Sequence, residues 1–318
     1  MNRVVVIVGP TATGKSDLGL ALAERLGGEI VNADAMQLYR GLDIGTAKLV
    51  LAERRGIPHH QIDVLDASQD ASVADYQQAA RADLAAIGAR GARPVAVGGS
   101  GLYVRALLDH MDFPGTDPHV RARLEARVDE LGARVVHAEL AAVDPVAAAG
   151  IGPRNARRIV RALEVIELTG RPYSASLPQH VYEVPAVQIG LDCDRAVLDA
   201  RIEERVARMW AAGLVDEVRA LAVHGIGRTA SRAVGYAEVL AMLRGELGED
   251  DARASVIGGT RRLARKQMGW FGRDPRVHWL DSRAPDLVER ALDLVAAADA
   301  GTLRDAPEGA AVRRSLGS

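Results

Sequence analysis

Cysteine is nearly absent from this 318-residue sequence; Cys193 is the single example. One thiol cannot close a disulfide within the chain or build a cysteine-based zinc site, which fits a reducing compartment. Cys193 stands in a strand-like run with no motif around it, so a small buried residue is expected. Aromatic residues make up only 3 %. No apolar stretch approaches the ~20 residues that span a bilayer. The N-terminal apolar run is short and ends at Gly9-Pro10, where a signal peptide would continue to a small-residue cleavage site. A soluble, cytoplasmic protein with no membrane partner is expected. Neither charge sign dominates: 40 Lys and Arg face 42 Asp and Glu, for a formal net charge of -2. Any nucleic-acid surface must therefore be a local patch. The eight histidines show no metal-ligand spacing, and adjacent His59-His60 is assigned to a loop. What remains is ample apolar material, 48 % of the chain, enough for one large domain or two smaller ones.

The order of patterns predicts an α/β fold. Arg3 to Val8 is a β-branched run, the composition of a buried parallel strand. A helix is expected from Lys15 to Leu26, stopped by Gly27-Gly28. Strands are expected at Glu29 to Asn32, Gln61 to Val64 and Pro94 to Val97, with a helix over Val73 to Arg90. This rhythm implies a parallel sheet with helices on both faces. Near Pro114 the character changes. His119 to Leu131, Arg134 to Val143 and Asn155 to Thr169 have helical patterning, broken at Asp144-Pro145 and Gly152-Pro153. Val187 to Asp192 returns to strand composition. One or two helices follow over Asp194 to Val223, then helices over Ser231 to Arg244 and Ala252 to Phe271, and a last strand at Val277 to Leu280. The expected organisation is a core over 1–113, an all-helical insertion over 114–183, completion of the core over 184–300, and a disordered tail over 301–318.

Gly9-Pro10-Thr11-Ala12-Thr13-Gly14-Lys15-Ser16 fits the phosphate-binding pattern G-x-x-x-x-G-K-[ST], with a strand before it and a helix after. Glycines let backbone N–H groups curl around a phosphate, and the helix N-terminus adds partial positive charge. Lys15 supplies a point charge, and Ser16 a hydroxyl for Mg²⁺. The next strand ends at Asp34. Strand C-termini face the ligand crevice in such sheets, so Asp34 is expected near the phosphates or the acceptor. A polar, glycine-punctuated loop, Gly41 to Lys48, follows. The strand ending at Gly98-Gly99-Ser100 carries no acid where an ATP-driven motor would have one. That argues against ATP hydrolysis as a power source.

The segments GPTATGKS, NADAMQLYRGLDIGTAK, VGGSGLY, RIVRALEV, SRAVGY and TRRLARKQMGWF occur in order from Gly9 to about Leu280. Together they resemble the bacterial tRNA dimethylallyltransferase family, which prenylates adenosine 37 beside the anticodon. The resemblance implies a P-loop NTPase-like sheet with a helical insertion, and a P-loop that holds the diphosphate of dimethylallyl diphosphate with Mg²⁺ in place of a nucleotide. Asp34 matches the family's general base. Lys15, Ser100 and Arg232 join it as implied catalytic residues, Arg232 gripping the diphosphate. Ser100 stands where the family usually has Thr, and both keep the hydroxyl. The implied tRNA contacts are Asp34, Ala35, Met36, Gln37, Ser100, Arg121, Arg157, Arg158, Arg161, Arg232, Gly235, Tyr236, Arg265, Lys266 and Gln267. The implied partner is the tRNA anticodon stem-loop, and a monomer is expected.

The basic clusters also have a plainer reading. Arg154, Arg157 and Arg161 can share one helix face, but Glu164 and Glu167 follow, so an intrahelical salt-bridge face competes with RNA binding. Trp270 and Phe271 could stack on a base, although core packing is the commoner role. Three rivals stay open at this point. An isopentenyltransferase acting on free AMP would not need the helical insertion. A small-molecule kinase would need a lid arginine pair and an acceptor pocket. A nucleotide-regulated RNA-binding protein would not need Asp34.

Overall fold

Val4–Val8, five consecutive β-branched residues, forms strand β1 and is buried along its whole length. A strand covered on both faces belongs in the middle of a parallel sheet. In the computed structural model, which describes residues 3–176 and 180–303, β1 lies in a six-stranded sheet. The other strands are Gly28–Asn32 (β2), His59–His60 (β3), Arg93–Val97 (β4), Ala186–Asp192 (β5) and Val277–Asp281 (β6). Their order is β3-β2-β4-β1-β5-β6, with every pairing parallel. The expected α/β class is confirmed.

Side chains alternate across a strand, so β1 serves two cores. Val5 and Ile7 pack with Leu18 and Leu22 of helix α1 (Lys15–Leu26). Val4, Val6 and Val8 pack on the other face with Tyr76, Leu84 and Ile87 of α2 (Val73–Ala89) and Leu107 of α3 (Gly101–Leu108). Each such Val or Ile contributes about 1.5–3 kcal/mol when fully buried. The Ser72 side chain caps α2 by accepting the Asp75 N–H.

A second compact unit, Asp109–Val181, interrupts the first, which comprises Met1–Leu108 and Tyr182–Ser318. The sequence had put these bounds at 114–183. The second unit holds α4 (Pro118–Leu131), α5 (Ala133–Val143), α6 (Pro145–Gly150) and α7 (Ala156–Thr169). Val136, Leu140, Ile151, Ile159 and Ala162 form its core. Asp144-Pro145 is a helix start as well as a break: the Asp144 carboxylate accepts the Ala147 N–H, and Pro145 opens α6.

Back in the first unit, α8 (Arg195–Ala211) and α9 (Leu214–His224) are separated by Gly213 at φ +97. After them come α10 (Tyr236–Leu243), α11 (Glu249–Phe271) and α12 (Leu287–Asp299). Trp210, Leu214, Val218, Tyr236 and Val256 from the helical part pack on Tyr39 and Leu42, which follow β2. The chain after the second strand is thereby held under helices from the far end of the sequence.

Several expectations are corrected. No strand forms over Gln61 to Val64. Gln61 and Asp63 have φ of 57 and 58, and such left-handed residues cannot continue a ladder, so the edge strand is His59–His60 instead of a loop. The helix expected over Ser231 to Arg244 is a short turn, Ala230–Arg232, then α10, with Gly235 at φ +99 between them. Helices α3, α6 and α12 had not been anticipated. Phe271 is buried in the sheet core with Trp270 against it, and Cys193 is buried. Most of the tail from 301, read as disordered, lies outside the described residues.

Candidate active site

The phosphate loop follows β1. Gly9 has φ +134, and a Cβ there would sit 2.7 Å from the Leu191 carbonyl oxygen, so no side chain fits. Ala12 and Gly14 are also left-handed, at φ 64 and 87. Thr13 Oγ1 donates to the Pro10 carbonyl at 2.8 Å and closes the loop on itself. Gly14 leaves the α1 N-terminus without a side-chain cap, so its free N–H groups suit an anion. Lys15 Nζ donates to the Pro10 carbonyl at 2.6 Å. Burial lowers the Lys15 pKa to about 7; the Asp34 charge opposes that shift and the Arg205 charge adds to it.

Asp34 lies two residues beyond β2 and is held from several sides. The Asn32 side chain accepts the Asp34 N–H at 2.9 Å and donates to the carbonyls of Asp34 and Gln61. Tyr76 donates its hydroxyl to the Asn32 carbonyl. Ser100 Oγ accepts the Ala35 N–H at 3.0 Å, so Ser100 braces the segment that carries Asp34. Asp34 Oδ1 accepts the Met36 N–H at 3.0 Å, an Asx-turn that fixes the carboxylate rotamer. Asp34 and Met36 then reach the pocket that also contains Thr11 and Lys15.

That pocket encloses about 640 Å³, including its open mouth. Its lining has two chemical characters. Thr11, Lys15, Asp34, Thr46, Arg205, Thr260 and Gln267 supply polar groups, while Val206, Met209, Val234, Val256 and Leu263 supply an apolar wall. Arg205, from α8, donates to the Thr46 carbonyl at 3.4 Å. Burial pushes its pKa down, and the charge of Asp34 opposes this. Lys15, Arg205 and the Asp34 carboxylate thus share one site.

Arg205, which the sequence did not single out, lines this pocket. Arg232 is exposed on the Ala230–Arg232 turn and is not part of the lining. The sequence reading missed Arg205 because Arg201-Ile-Glu-Glu-Arg205 looks like any charged amphipathic helix; which face meets the sheet cannot be read locally. Gln267 has its side chain committed inward: Oε1 accepts the Thr11 N–H at 2.9 Å and Nε2 donates to the Gly99 carbonyl at 3.1 Å. Tyr236 is buried, with its hydroxyl on Glu217 at 2.6 Å. Gly235 starts α10, its N–H donating to Glu238. Gln37 donates to the Thr46 carbonyl at 3.2 Å. Arg265 and Lys266 are exposed on α11.

In the second unit, the basic cluster divides. Arg121 and Arg161 both bond to buried Glu164, at 2.6 and 2.8 Å. Glu167 pairs with Arg123. The salt-bridge reading therefore holds for Arg161, whereas Arg157 and Arg158 are exposed and have no ion pair among the described residues.

No group of three or more His, Cys, Asp or Glu that could hold a metal occurs among the described residues. A Mg²⁺ ion bound through phosphate oxygens, water and one hydroxyl needs no such cage. Ser16, half-buried in the first turn of α1, has the right donor chemistry for that single protein contact.

A phosphate loop after the first strand, a braced carboxylate after the second and an apolar wall facing both define a P-loop transferase. The chain belongs to the IPP transferase family, whose model matches residues 37–274, and a second model, isopentenyl transferase, matches residues 2–71. It is 60 % identical over 302 residues to a tRNA dimethylallyltransferase of Thermobifida fusca, covering 93 % of this chain and 95 % of that one. A tRNA dimethylallyltransferase of Streptomyces avermitilis is 61 % identical over 289 residues, covering 90 % and 93 %. The crystal structure of the tRNA isopentenylpyrophosphate transferase of Bacillus halodurans superposes with a TM-score of 0.69 at 40 % identity, over 95 % of this chain and 97 % of that one. No helix among the described residues is long and apolar enough to cross a membrane.

Proposed function

We propose that the protein transfers the dimethylallyl group of dimethylallyl diphosphate to N6 of adenosine 37 in the tRNA anticodon stem-loop. The observation that carries this reading is the two-sided pocket. Lys15, Arg205 and the α1 N-terminus suit a diphosphate, and Val206, Met209, Val256 and Leu263 suit a short branched hydrocarbon.

The N6 lone pair attacks C1 of the allyl group as the C1–oxygen bond breaks, and the bonding pair leaves with the diphosphate. Lys15 and Arg205 stabilise the charge that grows on the leaving oxygens. Asp34 takes the N6 proton as the new C–N bond forms. Ser100, Asn32 and Met36 hold the carboxylate in place during that transfer. A Mg²⁺ ion on Ser16 would neutralise further diphosphate charge. The adenine must leave its stack to reach the pocket, which costs a few kcal/mol and least in a loop. Exposed Arg157, Arg158, Arg265 and Lys266 supply phosphate contacts for the RNA. The enzyme acts as a cytoplasmic monomer.

The test offers dimethylallyl diphosphate with unmodified tRNA, a minimal anticodon stem-loop or AMP, and reads the mass gain of each acceptor. Gain on the RNAs supports the proposal. Gain on AMP alone, or phosphorylation from ATP without prenyl transfer, overturns it.

A further inference from the structure

Glu217, on α9, does not line the pocket, yet its carboxylate accepts four hydrogen bonds. Oε2 accepts the backbone N–H groups of Asp43 and Ile44 at 3.1 and 2.7 Å. Oε1 accepts the Gly45 N–H at 3.2 Å and the Tyr236 hydroxyl at 2.6 Å. Three successive amides converging on one anion form the kind of nest that elsewhere cradles phosphate. Here a side chain of the protein fills it. Burial and the Glu217 charge push the Tyr236 phenol above its usual range, so it remains a donor. Gly45 lies so close to the Tyr236 ring that a Cβ there would clash with it.

The nest ends where the pocket begins. Gly45 and Thr46 both line the pocket. The Thr46 carbonyl accepts from Gln37 and from Arg205 Nη2, at 3.2 and 3.4 Å. Beyond it, Lys48 anchors the loop by donating to the Tyr39 carbonyl at 2.7 Å and to Asp43 and Asp63. The loop is thus tied on both sides of Thr46, and Thr46 presents one acceptor to a pocket arginine.

We propose that Glu217 is a positioning residue for the transfer reaction: with Tyr236 it latches the amides of Asp43, Ile44 and Gly45, and so holds the Thr46 carbonyl where it aims Arg205 at the diphosphate. This rests on the reading of the pocket as a diphosphate site. One guanidinium N–H directed at the Thr46 carbonyl biases the orientation of the group and leaves its other donors for the leaving oxygens. Glu217 itself touches no substrate atom.

The experiment measures calorimetric binding of inorganic diphosphate to the wild type, E217Q, R205M and the double variant, with binding of an anticodon stem-loop as a control. The amide of E217Q turns a donor toward backbone N–H groups. It is expected to weaken diphosphate binding about tenfold and RNA binding less than about twofold. In the R205M background, E217Q should add less than about a twofold loss, because the arginine it positions is gone. An equal loss in both backgrounds, or no loss in the wild type, overturns the proposal. Y236F, which removes one bond from the latch, should show a smaller loss with the same dependence on Arg205, and it carries the comparison if E217Q does not fold. A wild-type chain that binds no diphosphate would instead overturn the reading of the pocket.

Discussion

Gln267 accepts the backbone N–H of Thr11 at 2.9 Å, joining residues 256 positions apart in the sequence. The same side chain donates to the Gly99 carbonyl. It therefore ties α11 to the phosphate loop and to the end of β4, and its polar atoms serve the interior. Gln267→Leu should leave the Thr11 N–H and the Gly99 carbonyl without this partner, at a cost of about 1–3 kcal/mol. Thermal melting should register the loss, and diphosphate affinity should fall with it. Stem-loop affinity in a gel-shift assay should change little; a large loss there would return Gln267 to the RNA surface.

Asp34 is expected to be indispensable for chemistry and dispensable for binding. Asp34→Asn keeps the acceptor for the Met36 N–H and removes the base. Turnover should fall by about 10²–10⁴-fold. Diphosphate binding should be retained or improved, since a negative charge leaves the pocket. Single-turnover kinetics and calorimetry separate the two effects, and loss of binding alone would mean that the role is misassigned.

Lys15 makes diphosphate affinity depend on pH. Its pKa is lowered to about 7, chiefly by burial. A bound diphosphate anion favours the ammonium, so its pKa rises in the complex and Lys15 takes up a proton on binding above pH 7. Affinity should therefore fall as pH rises from 7 toward 9, by up to about tenfold per unit. Calorimetry in two buffers of different ionisation enthalpy measures the proton uptake. Lys15→Met should reduce that uptake to the part contributed by the ligand's own titration. For folding the sign is opposite: between about 7 and 10.5 the unfolded chain binds more protons at this site, so its contribution to stability rises with pH.

Glu164 should govern the stability of the helical unit. It is fully buried. Burial alone would raise its pKa, but Arg161 and Arg121 outweigh that and hold it below the usual 4.5. A depressed carboxyl contributes stability that is present above the unfolded value of 4.5 and is lost as pH falls through the folded value. Glu164→Gln should cost roughly 2–3 kcal/mol. Hydrogen exchange should show that loss in α4 and α7, with protection of the sheet helices unchanged.

Local pattern carried much of this architecture. The β-branched run of β1 and the largely apolar stretches of β4 and β5 suit a buried parallel strand. The G-x-x-x-x-G-K-S block dictates its own loop, because glycine conformations and a helix start are short-range properties. Asp34 could be found because it follows a strand end directly. Helices α3 and α12 were missed although their apolar periods are plain, and the strand expected over Gln61 to Val64 was overridden by two left-handed residues.

The sequence by itself determined the phosphate loop, the carboxylate after the second strand, the sheet class and the presence of a helical insertion, all of which depend on residues close together in the chain. Only the tertiary structure decided that Arg205 enters the pocket, that Gln267 faces the phosphate loop, that Arg161 and Arg121 are spent on Glu164, and that Glu217 fills a backbone nest. Each of these is a choice of partner between distant segments. Helical periodicity says which side chains share a face, and packing alone says what that face meets.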